Sequence, residues 1–239
     1  MKRQVIILWL GFILILGTTL GFCINLKEKP KNVNIIVATA PYNEMVSVYA
    51  QPNENSEVIS EFCGQTCLTC NLYNENFEII NNFVKVELSQ KQIGYVKITD
   101  CFCDTLYLNK IQNKNRQKVC WTSLKYLGIS YDEMKCTTLI RKSFISIGID
   151  FGDLYVTKYN KDNIGKEVTK KELQPGDIVF YKSIGGKVKY GHIGLYLGQG
   201  YVIQSTIDKG KEYPSGGVRI TKLTFRSEPT AFRSPFLTR

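Results

Sequence analysis

Apolar and polar positions alternate most regularly between Tyr190 and Thr206, on either side of Gly198-Gln199-Gly200. A period of two predicts two strands, and the glycines between them predict a hairpin turn. Ile193, Leu195 and Leu197 fall on one face of the first strand, and His192, Gly194 and Tyr196 on the other. A three-residue loop over 198–200 pairs Leu197 with Tyr201, sets Gly194 opposite Gln204 and leaves Gln204 diagonal to His192 on the same face. Diagonal neighbours lie roughly 7–8 Å apart, a gap that long side chains bridge. A two-residue loop would turn Gln204 to the opposite face, so the pairing rests on the loop.

The pattern changes upstream. Leu139, Ile140, Phe144 and Ile147 recur at helical spacing and Gly148 supplies a stop, so Cys136 falls in the first turn of a helix. Trp121, Leu124 and Leu127 mark an earlier amphipathic helix over Val119–Leu127, ended by Gly128. Between the helices and the hairpin, Leu173-Gln174-Pro175-Gly176-Asp177 reads as a turn feeding a strand at Ile178–Tyr181. Strands around Val218–Ile220 and Thr230–Phe232 close the chain. A helix followed by an antiparallel sheet is an α+β arrangement.

The first half reads differently. Met45–Tyr49, Glu57–Phe62, Cys67–Leu72, Phe77–Ile80, Phe83–Leu88 and Gly94–Ile98 are short strand-like runs separated by turn residues. Many short strands in about 60 residues predict a small barrel. Ahead of them, residues 27–41 read as a polar linker around Pro30. Met1-Lys2-Arg3 and the uncharged, largely apolar Val5–Leu26 form a signal anchor or signal peptide over residues 1–26, since about 20 apolar residues span a bilayer. The division is therefore 1–26, 27–41, a barrel at 42–103 and an α+β domain at 104–239.

Charge supports that division. Residues 1–103 carry 8 Lys/Arg and 9 Asp/Glu, whereas residues 104–239 carry 23 and 12. The basic second half suits an anionic partner such as a wall polymer. Without aromatic–basic interleaving, nucleic acid is not favoured as that partner. Five of the eight cysteines, Cys63, Cys67, Cys70, Cys101 and Cys103, cluster in the first half. Disulfides, a metal site and reduced core thiols are the three readings of that cluster.

The chemistry converges on the single histidine, His192. Unpaired N–H groups and the dipole at a helix start favour an anion, so a thiolate at Cys136 is stabilised there. An imidazolium beside it stabilises the thiolate further and then protonates a leaving amine as general acid. A neutral amide oxygen suffices to hold the other ring nitrogen, which is the part open to Gln204. Helix-start amides would bind an oxyanion, and Tyr131 could add a hydroxyl. No step calls for a cofactor or a metal.

At these residues the chain resembles the NlpC-like family of cell-wall cysteine peptidases. The matching pieces, in family order, are YLGISY, KCTTLI, LQPGDIVFY and GHIGLYLGQGYVIQST. The resemblance implies a papain-like fold, with Cys136 as nucleophile, His192 as base, Gln204 as the third residue and Tyr131 beside the oxyanion. It implies peptidoglycan stem peptides as substrate, a γ-D-glutamyl–diamino-acid amide as the bond cleaved, and an extracytoplasmic location, secreted or membrane-anchored through the N-terminal helix. VSVYAQPNENSEVIS and FVKVELSQKQIGYVKI resemble a bacterial SH3-like domain. One departure stands out: the family pattern resembles D-C-S-G, and this chain has Lys135-Cys136-Thr137-Thr138. A non-catalytic wall-binding or adaptor protein, and a thiol amidase acting on another substrate, are the alternative readings.

Overall fold

The computed structural model describes residues 32–41, 44–70, 76–88, 92–153, 155–161, 164–183, 187, 189–207, 216–225 and 227–237, all within the unit Lys31–Arg239. The signal segment expected over residues 1–26 lies outside the described residues. Among the described residues, no helix is long and apolar enough to cross a membrane.

Eight strands come first: β1 (Val33–Ala38), β2 (Met45–Tyr49), β3 (Val58–Cys63), β4 (Thr66–Thr69), β5 (Ile79–Ile80), β6 (Phe83–Glu87), β7 (Ile93–Lys97) and β8 (Cys101–Leu106). Three helices follow: α1 (Lys114–Leu124), α2 (Cys136–Ile145) and α3 (Val156–Lys161). The chain then adds β9 (Lys166–Glu167), β10 (Ile178–Tyr181), β11 (His192–Gly198), β12 (Tyr201–Thr206), β13 (Gly217–Lys222) and β14 (Ala231–Ser234). The strand order is β3-β2-β7-β6-β4-β13-β12-β11-β10-β14-β9, with β1 between β4 and β8. The result is α+β, with α1 and α2 packed on the antiparallel sheet of the second half.

Val33–Ala38 is not part of a polar linker. It is the buried strand β1, paired with β4 on one side and along its whole length with β8 on the other. Both of its faces are covered: Val33, Ile35 and Val37 enter one core, and Ile36 and Ala38 another. Apart from Asn34 the strand is apolar, and a strand buried on both faces carries no alternation to announce it. Cys67 of β4 pairs with Ile220 of β13 and Thr66 with Thr221, so the sheet continues from one half of the chain into the other.

The same alternation explains the cysteine cluster. Cys67 and Cys70 are three positions apart, an odd number, so an extended chain sends them to opposite faces. Cys67 packs in the core beneath the helices, and Cys70 packs with Cys101 against Ile36, Val84 and Val96. Cys67, Cys70, Cys101, Cys103, Cys120 and Cys136 are thiols without disulfide partners. Among the described residues, no three Cys, His, Asp or Glu side chains are gathered as a metal site. Burial pushes the Cys120 and Cys101 thiols up to about 12, so both are neutral packing groups across the ordinary pH range.

Helix α1 begins earlier than its apolar spacing indicates, because Asn113 caps it by accepting from the N–H groups of Asn115 and Arg116. That cap sets Arg116 in the interior. Its guanidinium donates to Asp177 at 2.6 Å, to the Pro175 carbonyl at 2.9 Å and to Ser234 Oγ at 2.7 Å, and it lies 4.3 Å over the Phe236 ring. Asp177 also accepts from the Gln174 N–H at 2.8 Å. Leu173–Asp177 is thus a turn pinned by a buried ion pair, and Gly176, at φ +91°, gives the chain its left-handed step there.

Candidate active site

Cys136 is the first residue of α2, and the residues before it are held from two directions. Ser130 and Glu133 bond reciprocally, the Ser130 hydroxyl donating to the Glu133 carboxylate and accepting from the Glu133 N–H. The Met134 N–H donates to the Ser130 carbonyl, and the Ser205 hydroxyl of β12 donates to the Met134 carbonyl. The start of α2 is thereby tied to the strand that carries Gln204. Lys135, exposed at the N-cap, makes no side-chain cap bond. The first amides of α2 are therefore left without a side-chain cap from that residue.

Cys136 is 7% exposed. Burial pushes it above the ordinary cysteine value; backbone amides of Ile193, Thr137 and Cys136 itself, and the Lys135 ammonium, pull the other way without prevailing. Burial thus opposes the stabilisation of a thiolate expected from the helix start. A helix start supplies partial charge, but losing water costs the anion more. The Ile193 amide is informative for position as well, because Ile193 is the residue after His192 on β11.

His192 and Gln204 meet as their register requires. His192 Nε2 lies 2.6 Å from Gln204 Oε1. Leu195 pairs with Ile203 and Tyr196 with Val202, as the three-residue loop would dictate. The turn itself differs, because β12 pairs Tyr201 with Gly198 and leaves a bulge at Leu197. The connection is then two residues, Gln199 and Gly200, at φ +55° and +82°, values that suit a tight hairpin turn. The extra residue in the bulge restores the register that a two-residue turn alone would shift, so Gln204 keeps to the face of His192. Gln199 accepts the strained conformation and anchors it: its amide donates to the Thr105 carbonyl at 2.9 Å and accepts from the Tyr107 N–H at 2.9 Å.

Gly194 makes the contact possible. A Cβ there would stand 2.4 Å from Val202 Cγ1 and 3.3 Å from Gln204 Cβ. Gly194→Ala is expected to force Val202 and Gln204 aside, at about 1–3 kcal/mol of overpacking, and to lower kcat more than KM. Thermal melting alongside steady-state kinetics checks this; an unchanged kcat would show that the His192–Gln204 contact tolerates displacement.

Tyr131, half-buried just before α2, lies near the thiol: burial first, and then the charges of Cys136 and Asp132, push its phenol up. Cys136, Tyr131, His192 and Gln204 are all placed around the junction of α2 with β11 and β12. Sequence reasoning missed two neighbours. Tyr159 of α3 is fully buried and donates to the Thr137 carbonyl at 3.3 Å, steadying the first turn of α2. Thr221 of β13 accepts from Gln204 Nε2 at 2.6 Å. The signal for Thr221 was the alternation of Val218, Arg219, Ile220 and Thr221, which becomes informative once Gln204 is known to pair with Arg219.

Comparison with known proteins bears on this arrangement. Residues 122–221 match the NlpC/P60 family. A 78-residue stretch is 31% identical to the peptidoglycan endopeptidase RipB of Mycobacterium tuberculosis, covering 32% of this chain and 29% of that protein. A 99-residue stretch is 27% identical to a probable endopeptidase of Haemophilus influenzae, covering 40% of this chain and 58% of that protein. The chain thus spans less than two thirds of the length of either relative. Among solved structures, an NlpC/P60 family protein from Bacillus cereus is similar with a TM-score of 0.43 and 20% identity, over 86% of this chain and 64% of that one. The NlpC/P60 domain of the peptidoglycan hydrolase SagA is similar with a TM-score of 0.40 and 20% identity, over 50% of this chain and 97% of that one.

Proposed function

We propose, from the premise that this chain carries an NlpC/P60 family domain over residues 122–221, that it is a thiol hydrolase of cell-wall peptidoglycan. The observation that carries the reading is the 2.6 Å contact of His192 with Gln204, on a strand whose next residue presents its amide to the Cys136 sulfur. As the sulfur attacks the amide carbon, the thiol proton passes to His192. The first-turn amides of α2 and the Tyr131 hydroxyl receive the oxyanion. The tetrahedral species collapses, the C–N bond breaks, and His192 returns the proton to the leaving amine. Water then cleaves the thioester, with His192 as base, and restores the thiol.

The substrate is a peptidoglycan stem peptide, and the bond is the γ-D-glutamyl–diamino-acid amide. The excess of lysine and arginine in residues 104–239 suits an anionic wall. Lys135, exposed next to the nucleophile, favours a carboxylate-bearing group at that edge of the site. Action is extracytoplasmic, with residues 1–26 as signal or anchor. Residues 42–103 serve as the SH3-like module beside the peptidase.

Mass analysis of the soluble products released by the full chain from purified peptidoglycan tests the reading. Peptides ending in D-glutamate, with a matching new amine on the diamino acid, are expected. Intact stems after prolonged digestion would overturn the hydrolase reading, whereas a cut at another amide would overturn only the bond.

A further inference from the structure

The geometry points to Thr221 as a positioning residue that selects the working tautomer of His192; this rests on the thiol-hydrolase reading of the same site. Gln204 is 2% exposed and Thr221 fully buried, so their hydrogen-bonding roles have to be satisfied within the protein. Gln204 Nε2 donates to Thr221 Oγ1 at 2.6 Å, and Thr221 Oγ1 donates onward to the Lys222 carbonyl at 3.2 Å. A carbonyl only accepts, so the threonine proton is committed to Lys222 and its oxygen is left to accept. That fixes which end of the Gln204 amide faces which way: nitrogen toward Thr221, oxygen toward His192.

The consequence reaches the imidazole. An amide oxygen cannot donate, so His192 Nε2, 2.6 Å away, must carry the proton. In the neutral ring Nδ1 is then the basic nitrogen, the one that on the thiol-hydrolase reading receives the thiol proton as sulfur attacks. With the Gln204 amide reversed, its nitrogen would donate to Nε2, the ring proton would move to Nδ1, and the base facing the thiol would be lost. Through its hydroxyl Thr221 bonds to Gln204 and to the Lys222 carbonyl. It acts through Gln204, and it is held in place by β-pairing on both sides, with Val202 of β12 and Thr66 of β4. In this way the strand bridging the two halves of the sheet supports the site.

The test uses Thr221→Val, which keeps the branched shape and removes the acceptor, and Thr221→Ser, which restores it. The chain contains one histidine, so the nitrogen spectrum of histidine-labelled full-length protein reports this ring alone. In the wild type, above the pH at which the ring is neutral, the protonated signal is expected on Nε2. In Thr221→Val it is expected to shift wholly or partly to Nδ1, with kcat falling ~10-fold or more, KM changing little and Thr221→Ser recovering both. A wild-type ring protonated on Nδ1, or a folded Thr221→Val protein with an unchanged spectrum, would overturn the proposal. The spectrum is read without substrate, so it stands apart from whether the wall assay succeeds. If Thr221→Val fails to fold, the wild-type spectrum still decides which tautomer is present.

Discussion

Cys136→Ala is expected to reduce amide release from purified peptidoglycan by about 10⁴-fold or more, while leaving the melting temperature close to that of the wild type. Removing one sulfur deletes the nucleophile and leaves the first-turn amides, Tyr131 and the His192–Gln204 pair in place. The residual rate would be what binding and oxyanion stabilisation provide alone. The thiol is also expected to have a distinct pH response. Burial holds its folded pKa above the ordinary cysteine value, so at neutral pH the resting group is protonated. Alkylation by iodoacetamide requires the thiolate, so labelling of Cys136 should stay slow near neutrality and still be climbing at pH above that ordinary value. Alkylation that is already fast and flat with pH near neutrality would mean a standing thiolate and contradict the balance of burial over amide contacts. A wall-binding protein without chemistry is the rival reading that the burial of Cys136, 7% exposed, favours. It would show unchanged wall binding in Cys136→Ala and no hydrolysis in either form.

Some of this arrangement was legible in the chain because periodicity reports burial directly. His192, Gly194 and Tyr196 against Ile193, Leu195 and Leu197 announced a strand with two unlike faces, and a strand at Ile178–Tyr181 was marked by the turn before it. The face shared by His192 and Gln204 followed from the alternation, but the means of keeping it did not. A bulge at Leu197 is a backbone event with no side-chain signature, so a three-residue loop and a two-residue turn with one extra residue read alike. Strand β1 was hidden because Val33–Ala38, apolar at every position but Asn34, carries no period-two alternation and follows a lysine-rich approach. The cysteine spacing left three readings open, because Cys67-x-x-Cys70 has a metal-like interval on paper while an extended chain places the two on opposite faces. The state of the Cys136 thiol also escaped a local reading, since a helix start argues for the anion and only the packed surroundings of the sulfur show burial outweighing it. Thr221 needed the register between β12 and β13, which no single stretch contains.

Asp177→Ala is expected to produce the largest loss of stability of any single change considered, about 3–5 kcal/mol, because it leaves the Arg116 guanidinium buried without its counter-charge. Their side chains are 5% and 1% exposed, so water cannot replace the lost carboxylate without opening the structure. For a unit of this size a loss of that order lowers the melting temperature by ~10 °C. Asp177→Asn should cost less, since the amide keeps one acceptor for Arg116 while losing the charge. The carboxylate also holds the Gln174 N–H, so the turn into β10 is expected to loosen with the ion pair. That turn leads to Tyr181, whose ring centroid stands 5.9 Å from that of His192. From the other partner, Arg116 stacks on Phe236, which packs 5.6 Å from Phe144 of α2. The pair therefore braces both the helix that starts at Cys136 and the sheet that carries the imidazole, without touching either group. It follows that Asp177→Ala should retain most of its kcat well below its lowered melting point and lose activity only as the fold is lost. A folded, thermally unaltered Asp177→Ala protein would mean that the buried charge is compensated in another way, and the ion pair would lose its place as the brace beneath the site.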